Sequence, residues 1–513
     1  MTRQNRNRFA MRIVLAVSLI SSVQANASIE DADRAIKAAR YADGIAELRR
    51  LTAAGNARAE AKLGWMTLMG IGLPRDPAKA QALITHAADT GDRSAQLVLA
   101  AMLITSASDA GNDAQAERIL RKLAEQGDAQ AQAQLGQLYV FGRGVPRDPA
   151  QAAHWIQRSA AQHNDFGVFL LGMLYDAGTG VPLDSARAVA LYRDAAQSGL
   201  SAAEVALGAA YETGRGVPMD YTQAMAWYRR AADHNLGPGM SAIGRLHNKG
   251  LGVPKNRSLA VEWLQKGGGA GDYTAFIDLG TLYAEGGDGT EPDGERAALM
   301  YKKAASAGDA GGWQGLGWMY LNGMGVAKDA TVAYGWYMKA AQAGYPAAQV
   351  MVGRMNLSGR GVAKNVKDGA AWLRRGAEAG DAEGQTILGR IYLWGKVLGR
   401  DDAEGIQWLS RAAITGAADA QYWLAEAYLS GEHVKQDLPR GVAWMRIAAA
   451  KGNESAKSRM QQLEFKLSLD QFGRGIRAAA TWRAGVDLTM ERMPAGGMAI
   501  GQFNLNAPFA PGR

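Results

Sequence analysis

The sequence predicts an all-α protein, an α/α superhelical solenoid of about eleven 36-residue helix-turn-helix repeats with helical caps. Three observations carry that expectation. Glycine supplies 64 of 513 residues and falls at fixed intervals. The string Leu-Gly-x-x-Tyr-x-x-Gly recurs with its first glycine at Gly64, Gly136, Gly172, Gly208, Gly244, Gly280, Gly317, Gly353 and Gly389, stepping by 36 or its double with a single 37. Tryptophan keeps the same frame at Trp155, Trp227, Trp263, Trp336, Trp372, Trp408 and Trp444. A period of this length is the mark of stacked supersecondary units, each too small to bury its apolar face alone.

The first 27 residues read as a leader and not as part of the repeat. Arg3, Arg6, Arg8 and Arg12 form a basic head, an apolar run follows from Ile13 to Ile20, and Ala25-Asn26-Ala27 supplies a small-x-small cleavage site. That order of regions is a secretory signal peptide, and the apolar run is far below the roughly 20 residues a membrane span needs. Its four arginines carry half of the formal charge of +8, which weakens any nucleic-acid reading. The chain holds no cysteine, which excludes disulfides, thiol nucleophiles, Cys-ligated metal sites and a lipidated N-terminal Cys. A soluble periplasmic or secreted bacterial protein is the expectation.

Within a unit the order of residues dictates two helices and a turn. In the stretch from Asp128 to Gln162 the first helix runs to Phe141 and stops at Gly142, which closes a helix in the left-handed conformation without a Cβ penalty. Pro146 prevents resumption, Asp148 caps the second helix, and Pro149 occupies its first turn. The capping position holds Asp or Asn in every unit: Asp76, Asn112, Asp148, Asp184, Asp220, Asn256, Asp293, Asp329, Asn365, Asp401 and Asp437. The extra residue of the 37-residue step is expected in the loop Gly286–Gly294.

Two ladders accompany the turn. The tryptophan position is filled elsewhere by Leu83, Ile119, Leu191 and Met300, so it reads as buried packing, with a loss of about 3–5 kcal/mol expected for Trp336→Ala. Tyr139, Tyr175, Tyr211, Tyr283, Tyr320, Tyr392 and Tyr428 form a row on the first helices. Five residues before the Leu-Gly glycine each unit carries Ala or Gly, from Ala59 through Gly239 to Ala420, which lets neighbouring helices approach.

These elements resemble Sel1-like repeats, relatives of the tetratricopeptide class, over Asn56–Gly452. The unit with Gly208, Tyr211, Gly214, Gly216, Val217, Asp220, Trp227, Tyr228, Ala231 and Ala232 carries nearly the whole motif. The second unit departs most, with Ala100, Leu103, Ser106 and Ser108 at the Gly, Tyr, Gly and Gly positions, so its loop is expected to be irregular. The resemblance implies a stacked array whose first helices line one surface, and an adaptor role in signalling or in assembling envelope machinery.

The ends read as caps. Residues 28–55 supply a leading helical pair, and 453–483 a closing one, in which Ser468 and Gln471 form a capping box for a helix reaching Trp482. Residues 484–513 lose all period and read as a flexible tail.

Signatures of chemistry are missing. No His-Glu-x-x-His, Gly-x-Ser-x-Gly, phosphate loop or Ser-x-x-Lys occurs, so no catalytic, cofactor or metal residues are assigned and the protein is not expected to be an enzyme. His86, His154, His163, His234, His247 and His433 read as helix-terminal or core residues. Arg50, Lys122, Arg158, Arg230, Lys266, Lys303, Lys339, Arg375 and Arg411 repeat in the last turns of the second helices. There they either complement the helix dipole or form a strip for an anionic polymer.

A candidate interface comes from comparing units with one another. The residue after the Leu-Gly glycine and the one four further on vary freely and share a helix face. Along the chain they pair Trp65 with Met69, Arg245 with Lys249, Trp318 with Asn322, Arg354 with Ser358, and Arg390 with Trp394. Trp and Arg dominate binding hot spots, so Trp65, Arg245, Trp318, Arg354, Arg390 and Trp394 are assigned to partner binding. The expected function is a non-enzymatic interaction scaffold of the bacterial envelope with a protein partner and no nucleic acid. A periplasmic subunit of an exopolysaccharide export system, touching anionic polysaccharide, is the alternative, and a cell-wall hydrolase a weaker one.

Overall fold

The computed structural model describes residues 27–105, 110–395 and 397–488, so the expected leader and most of the expected tail lie outside the described residues. Two compact units divide at Ala275/Phe276. In the first, α1 (Ala27–Lys37) and α2 (Tyr41–Ala53) form the leading pair. Five full units follow: α3 (Ala57–Met69) with α4 (Pro77–Asp89), α5 (Arg93–Thr105) with α6 (Ala110–Glu125), α7 (Ala129–Phe141) with α8 (Pro149–Ala161), α9 (Asp165–Ala177) with α10 (Ser185–Gln197), and α11 (Ser201–Thr213) with α12 (Tyr221–Asp233). A sixth, α13 (Gly237–Lys249) with α14 (Arg257–Gly269), precedes α15 (Thr274–Glu285), which spans the division.

The second unit continues with α16 (Gly294–Ser306), the pair α17 (Ala310–Asn322) and α18 (Ala330–Gln342), then α19 (Pro346–Ser358) with α20 (Val366–Glu378). It ends with α21 (Ala382–Trp394) and α22 (Asp402–Thr415), α23 (Ala418–Ser430) and α24 (Leu438–Ala450), and the closing helices α25 (Glu454–Lys466) and α26 (Leu469–Thr481). Among the described residues there is no strand, only a single bridge between Gly287 and Thr290. That bridge closes the loop expected to absorb the extra residue, with Asp288 at positive φ in its turn.

The turn works as its residues dictate. Gly142, Gly178 and Gly214 end α7, α9 and α11 in the left-handed conformation. Asp148 and Asp220 then accept backbone N–H groups at the start of α8 and α12. These two capping residues also donate their own N–H back to the row-tyrosine carbonyl, 3.1 Å from Asp148 to Tyr139 and 2.9 Å from Asp220 to Tyr211. The second glycine of the loop has a separate task. A Cβ on Gly180 would sit 1.9 Å from the Pro149 carbonyl oxygen, so this loop lies directly on the second-helix start of the preceding unit.

The second unit of the repeat differs as its sequence suggests, with one correction. Asn112 is not a cap: α6 already begins at Ala110, because no Gly-x-Gly-Val turn holds the chain open there. Asp113, the next residue, is buried and pairs instead with Arg143 of the following loop. A further correction concerns the ladders. Trp155, Trp408 and Trp444 are buried, but Trp227, Trp263, Trp336 and Trp372 are only half-buried. The deep position is the next residue along. Ile84, Leu120, Ile156, Tyr228, Leu264, Tyr337, Leu373, Leu409 and Met445 are each at most 2% exposed.

The small residues do separate neighbouring units as expected. Ala59, Ala95, Ala131, Ala203, Ala275, Ala348 and Ala420 are fully buried, and a Cβ on Gly239 would meet the Ala231 methyl at 2.8 Å. At the far end the Ser468–Gln471 capping box is formed and opens α26. This helix turns back onto α24. Trp482 meets Trp444 edge-on at 5.6 Å. The described start of the expected tail is held in place: Gly485 donates to the Ile414 carbonyl and Leu488 is buried.

Candidate functional site

First helices of successive units touch one another directly, α3 with α5, α7 with α9, α19 with α21 and α21 with α23. Residues on that side of a first helix therefore meet equivalents from the next unit, and the predicted row divides according to what they meet. Trp65 is only 8% exposed, packed against Leu68, Val98 and Ala101. It is core and not interface, because α5 offers a small residue, Ala101, that admits the indole. Arg245 is half-buried with its charge beside the Tyr228 hydroxyl, which makes it part of the local packing.

The remaining four lie in the second compact unit and are exposed. Trp318 stands 40% accessible on α17. Arg354 on α19 ion-pairs with Glu383 on α21. Arg390 and Trp394, one turn apart on α21, come together with a residue the sequence reading missed, Trp423 on α23. The Arg390 guanidinium lies 4.5 Å from the Trp423 ring centroid and 5.4 Å from that of Trp394. The two indoles meet edge-to-face at 4.9 Å, and Tyr422 packs edge-on against Trp423 at 5.0 Å. His433, from the loop after α23, approaches Trp394 at 6.5 Å.

Trp394, Tyr422, Trp423 and His433 wall an open concavity of about 410 Å³, completed by Leu393, Glu426, Ala427, Ser430, Glu432 and Arg459, and Arg390 adjoins it through its contacts with the two indoles. Its acids are mostly engaged. Glu426 binds Arg459 at 2.9 and 3.4 Å. Asp402, beside the site, takes a fork of bonds from Arg400 and one from His433 at 2.9 Å, which together hold its carboxyl below the ordinary range. Trp423 carries a readable signal: two residues before the Leu-Gly glycine position the other units hold aliphatic, small or polar residues, and only this one an aromatic.

The basic row turns out to have partners of its own. Arg158, Arg230, Lys266, Lys339, Arg375 and Arg411 each lie over the tryptophan three residues earlier, 4.6 to 5.1 Å from Trp155, Trp227, Trp263, Trp336, Trp372 and Trp408. A cation over an indole face is worth about 0.5–1 kcal/mol at such exposed sites. The row thus shields the outer faces of half-buried rings, which accounts for its period. Among the histidines, His163 adopts positive φ in place of the usual glycine, His247 is buried in the tyrosine row, and His234 Nδ1 lies 3.0 Å from the fully buried Glu204, which ion-pairs with Arg230.

No group of acids and histidines among the described residues could hold a metal ion, and no described helix is long and apolar enough to cross a membrane. The fold and this surface define a class: an α-helical solenoid of interaction repeats. The Sel1 repeat family model matches residues 57–92, 129–164, 167–200, 201–236, 237–272, 277–309, 315–345, 346–381, 382–414 and 418–453. The chain belongs to the Sel1 repeat family, whose members generally act as non-catalytic protein–protein interaction scaffolds. The unit at 93–128 is the one internal unit left unmatched, in keeping with its altered turn.

Among solved structures, the chain is similar to c5321, a protective antigen of uropathogenic Escherichia coli strains with an SLR fold. The identity is 28% over 85% of this chain and 93% of that one, with a TM-score of 0.46. It is also similar to a Sel1 repeat protein from Oxalobacter formigenes, at 34% identity over 46% of this chain and 96% of that one, with a TM-score of 0.41. The immunity protein Pa5087 from Pseudomonas aeruginosa matches at 21% identity over 43% of this chain and 83% of that one, with a TM-score of 0.33. No curated protein matches the chain.

Proposed function

We propose that this protein is a non-enzymatic adaptor of the bacterial cell envelope, exported by its N-terminal leader and docking a protein partner on the first-helix face of α17–α23. The observation that carries the reading is the Arg390–Trp394–Trp423 cluster, in which Arg390 and Trp394 are exposed and Trp423 is half-buried beneath them. Trp423 packs in part against the core, but Trp394 stands 42% exposed beside it, where it adds little to a core already closed by Leu393, Leu409 and Leu424. Trp and Arg gathered beside a concavity are what a protein-binding hot spot is built from. Envelope location rests on the basic head, apolar run and Ala25-Asn26-Ala27 site of the leader.

The test is cross-linking capture from a periplasmic extract of the source bacterium, with wild type and with Arg390→Ala/Trp394→Ala as bait. A protein recovered by the first and lost by the second is the expected result. Equal recovery by both baits would place docking elsewhere, and a full-length protein retained in the cytoplasm would remove the envelope assignment.

A further inference from the structure

Resting on that adaptor reading, we infer that Arg390 and the concavity walled by Trp394 and Trp423 beside it together recognise a peptide segment in which a carboxylate is followed closely by a large apolar side chain.

One guanidinium of the site is still open. Arg390 makes no ion pair and no side-chain hydrogen bond among the described residues, and it is held only by the two ring faces beneath it. Stacking fixes the plane of a guanidinium while leaving its N–H edge free, and that edge matches a carboxylate bidentately. The other cations of the site are committed. Arg459 serves Glu426, and Arg400 serves Asp402, whose carboxylate is also hydrogen-bonded to the His433 ring. An incoming acid therefore has one uncommitted cation to meet, Arg390. Glu432, two-thirds exposed at the rim, excludes a second acid nearby.

The walls choose the neighbour of that acid. Leu393, Ala427, Tyr422, Trp394 and Trp423 line the concavity, and Arg390 borders it through the last two rings, so the volume next to the cation has room for one aromatic or long aliphatic side chain. A sugar polymer fits less well. Carbohydrates stack on flat, open ring faces, whereas here Trp394 and Trp423 stand at 86° to each other and Arg390 already covers the Trp423 face. A protein segment is thus favoured over an anionic polysaccharide.

A displayed library of random heptapeptides, panned separately on the full chain and on Arg390→Gln, tests this, with oligogalacturonate as competitor. Circular dichroism and melting confirm that each bait is folded. Expected is enrichment of Asp or Glu within two residues of Phe, Trp, Leu or Met on wild type. That enrichment should fall at least tenfold on Arg390→Gln, recover in part on Arg390→Lys, and be unaffected by the oligouronate. Peptides enriched without an acid, or enriched equally on both baits, would overturn the inferred chemistry and leave the adaptor reading standing. Displacement by oligogalacturonate, or its direct binding with no peptide enriched, would overturn both.

Discussion

A Cβ placed on Gly317 would lie 2.9 Å from the ring of Tyr337, on the partner helix of the same unit. The relationship recurs twenty or twenty-one residues apart along the chain, Gly136 against Ile156 at 2.5 Å, Gly208 against Tyr228 at 2.6 Å and Gly353 against Leu373 at 2.7 Å. The Leu-Gly glycine is thus the notch that receives the deepest side chain of the second helix. It sets the separation of the two helices within a unit.

Glycine substitutions should therefore split in sign. Gly317→Ala gains the intrinsic helix preference of alanine but drives a methyl into the Tyr337 ring, and overpacking of this kind costs about 1–3 kcal/mol. Gly335 lies on the same helix as Tyr337, and a methyl group there would have nothing within 4 Å. Gly335→Ala should stabilise by about 0.5–1 kcal/mol, the helix-propensity difference alone. Urea denaturation of the two variants checks this, and equal shifts would sink the notch.

Neighbouring ladder residues should differ in the opposite order from the one tryptophan periodicity suggests. Tyr337 is 2% exposed, whereas Trp336 is half-buried beneath Lys339. Tyr337→Ala should cost about 3–5 kcal/mol as a fully buried aromatic deletion. Trp336→Ala should cost clearly less, despite removing the larger ring. A ranking with Trp336→Ala as the more damaging change would restore the sequence-based expectation.

Burial also pushes the Tyr337 hydroxyl up to about 12 from its usual 10, and those of Tyr192 and Tyr228 upward as well. The unfolded chain releases these protons first as pH rises. The stability tied to the neutral hydroxyls is therefore complete below pH 10 and is lost between pH 10 and the folded-state value. For Tyr337 alone the loss is about 2–3 kcal/mol at pH 12. Chemical denaturation at pH 9, 10, 11 and 12 should show a falling midpoint, and Tyr337→Phe should make the fall shallower.

Most of the fold is legible in the sequence because each boundary has a local cause. Gly142 and its equivalents stop the first helix, Asp148 and its equivalents start the second, and Ser468 with Gln471 opens the last. Such signals act within four residues and need no tertiary context. The ladder error has a physical source too. Tryptophan's size suggests depth, yet the notch admits only the side chain one position on, and the indole takes the flank where a base three residues later can cover it. The site was half legible. Arg390 and Trp394 share one helix face and show as variable positions, but Trp423 reaches them from the next unit, a contact set by stacking geometry. Trp65 occupies the same repeat position as the exposed Trp318 and is buried because Ala101 and Val98 meet it.

Bases of the repeated row should prove structural. Arg375→Ala removes a cation over Trp372 and a favourable charge at a helix C-terminus, about 0.5–1 kcal/mol each at most. The expected outcome is a loss near 1 kcal/mol with a red shift of tryptophan emission as water reaches the ring. Combining Arg375→Ala with Lys339→Ala should leave partner capture intact. Loss of capture without loss of stability would instead make this strip the binding surface.

The face of α17–α21 should behave in the opposite way. Replacing Trp318, Arg354 and Arg390 together by Ala deletes an indole that is 40% exposed, an exposed ion pair and a stacked surface cation. The Arg354–Glu383 pair is worth no more than about 1 kcal/mol, since both side chains are over half exposed and water screens them. Stacking of Arg390 adds about as much. None of the three fills a notch or caps a helix, so the circular dichroism signal should hold and the melting temperature should fall by only a few degrees. Capture of the partner should fall well beyond that loss, because hot-spot residues of this kind each carry about 2 kcal/mol or more of binding. A triple variant that melts early would show these side chains to be packing, and one that melts normally and still captures the partner would move the interface off this face.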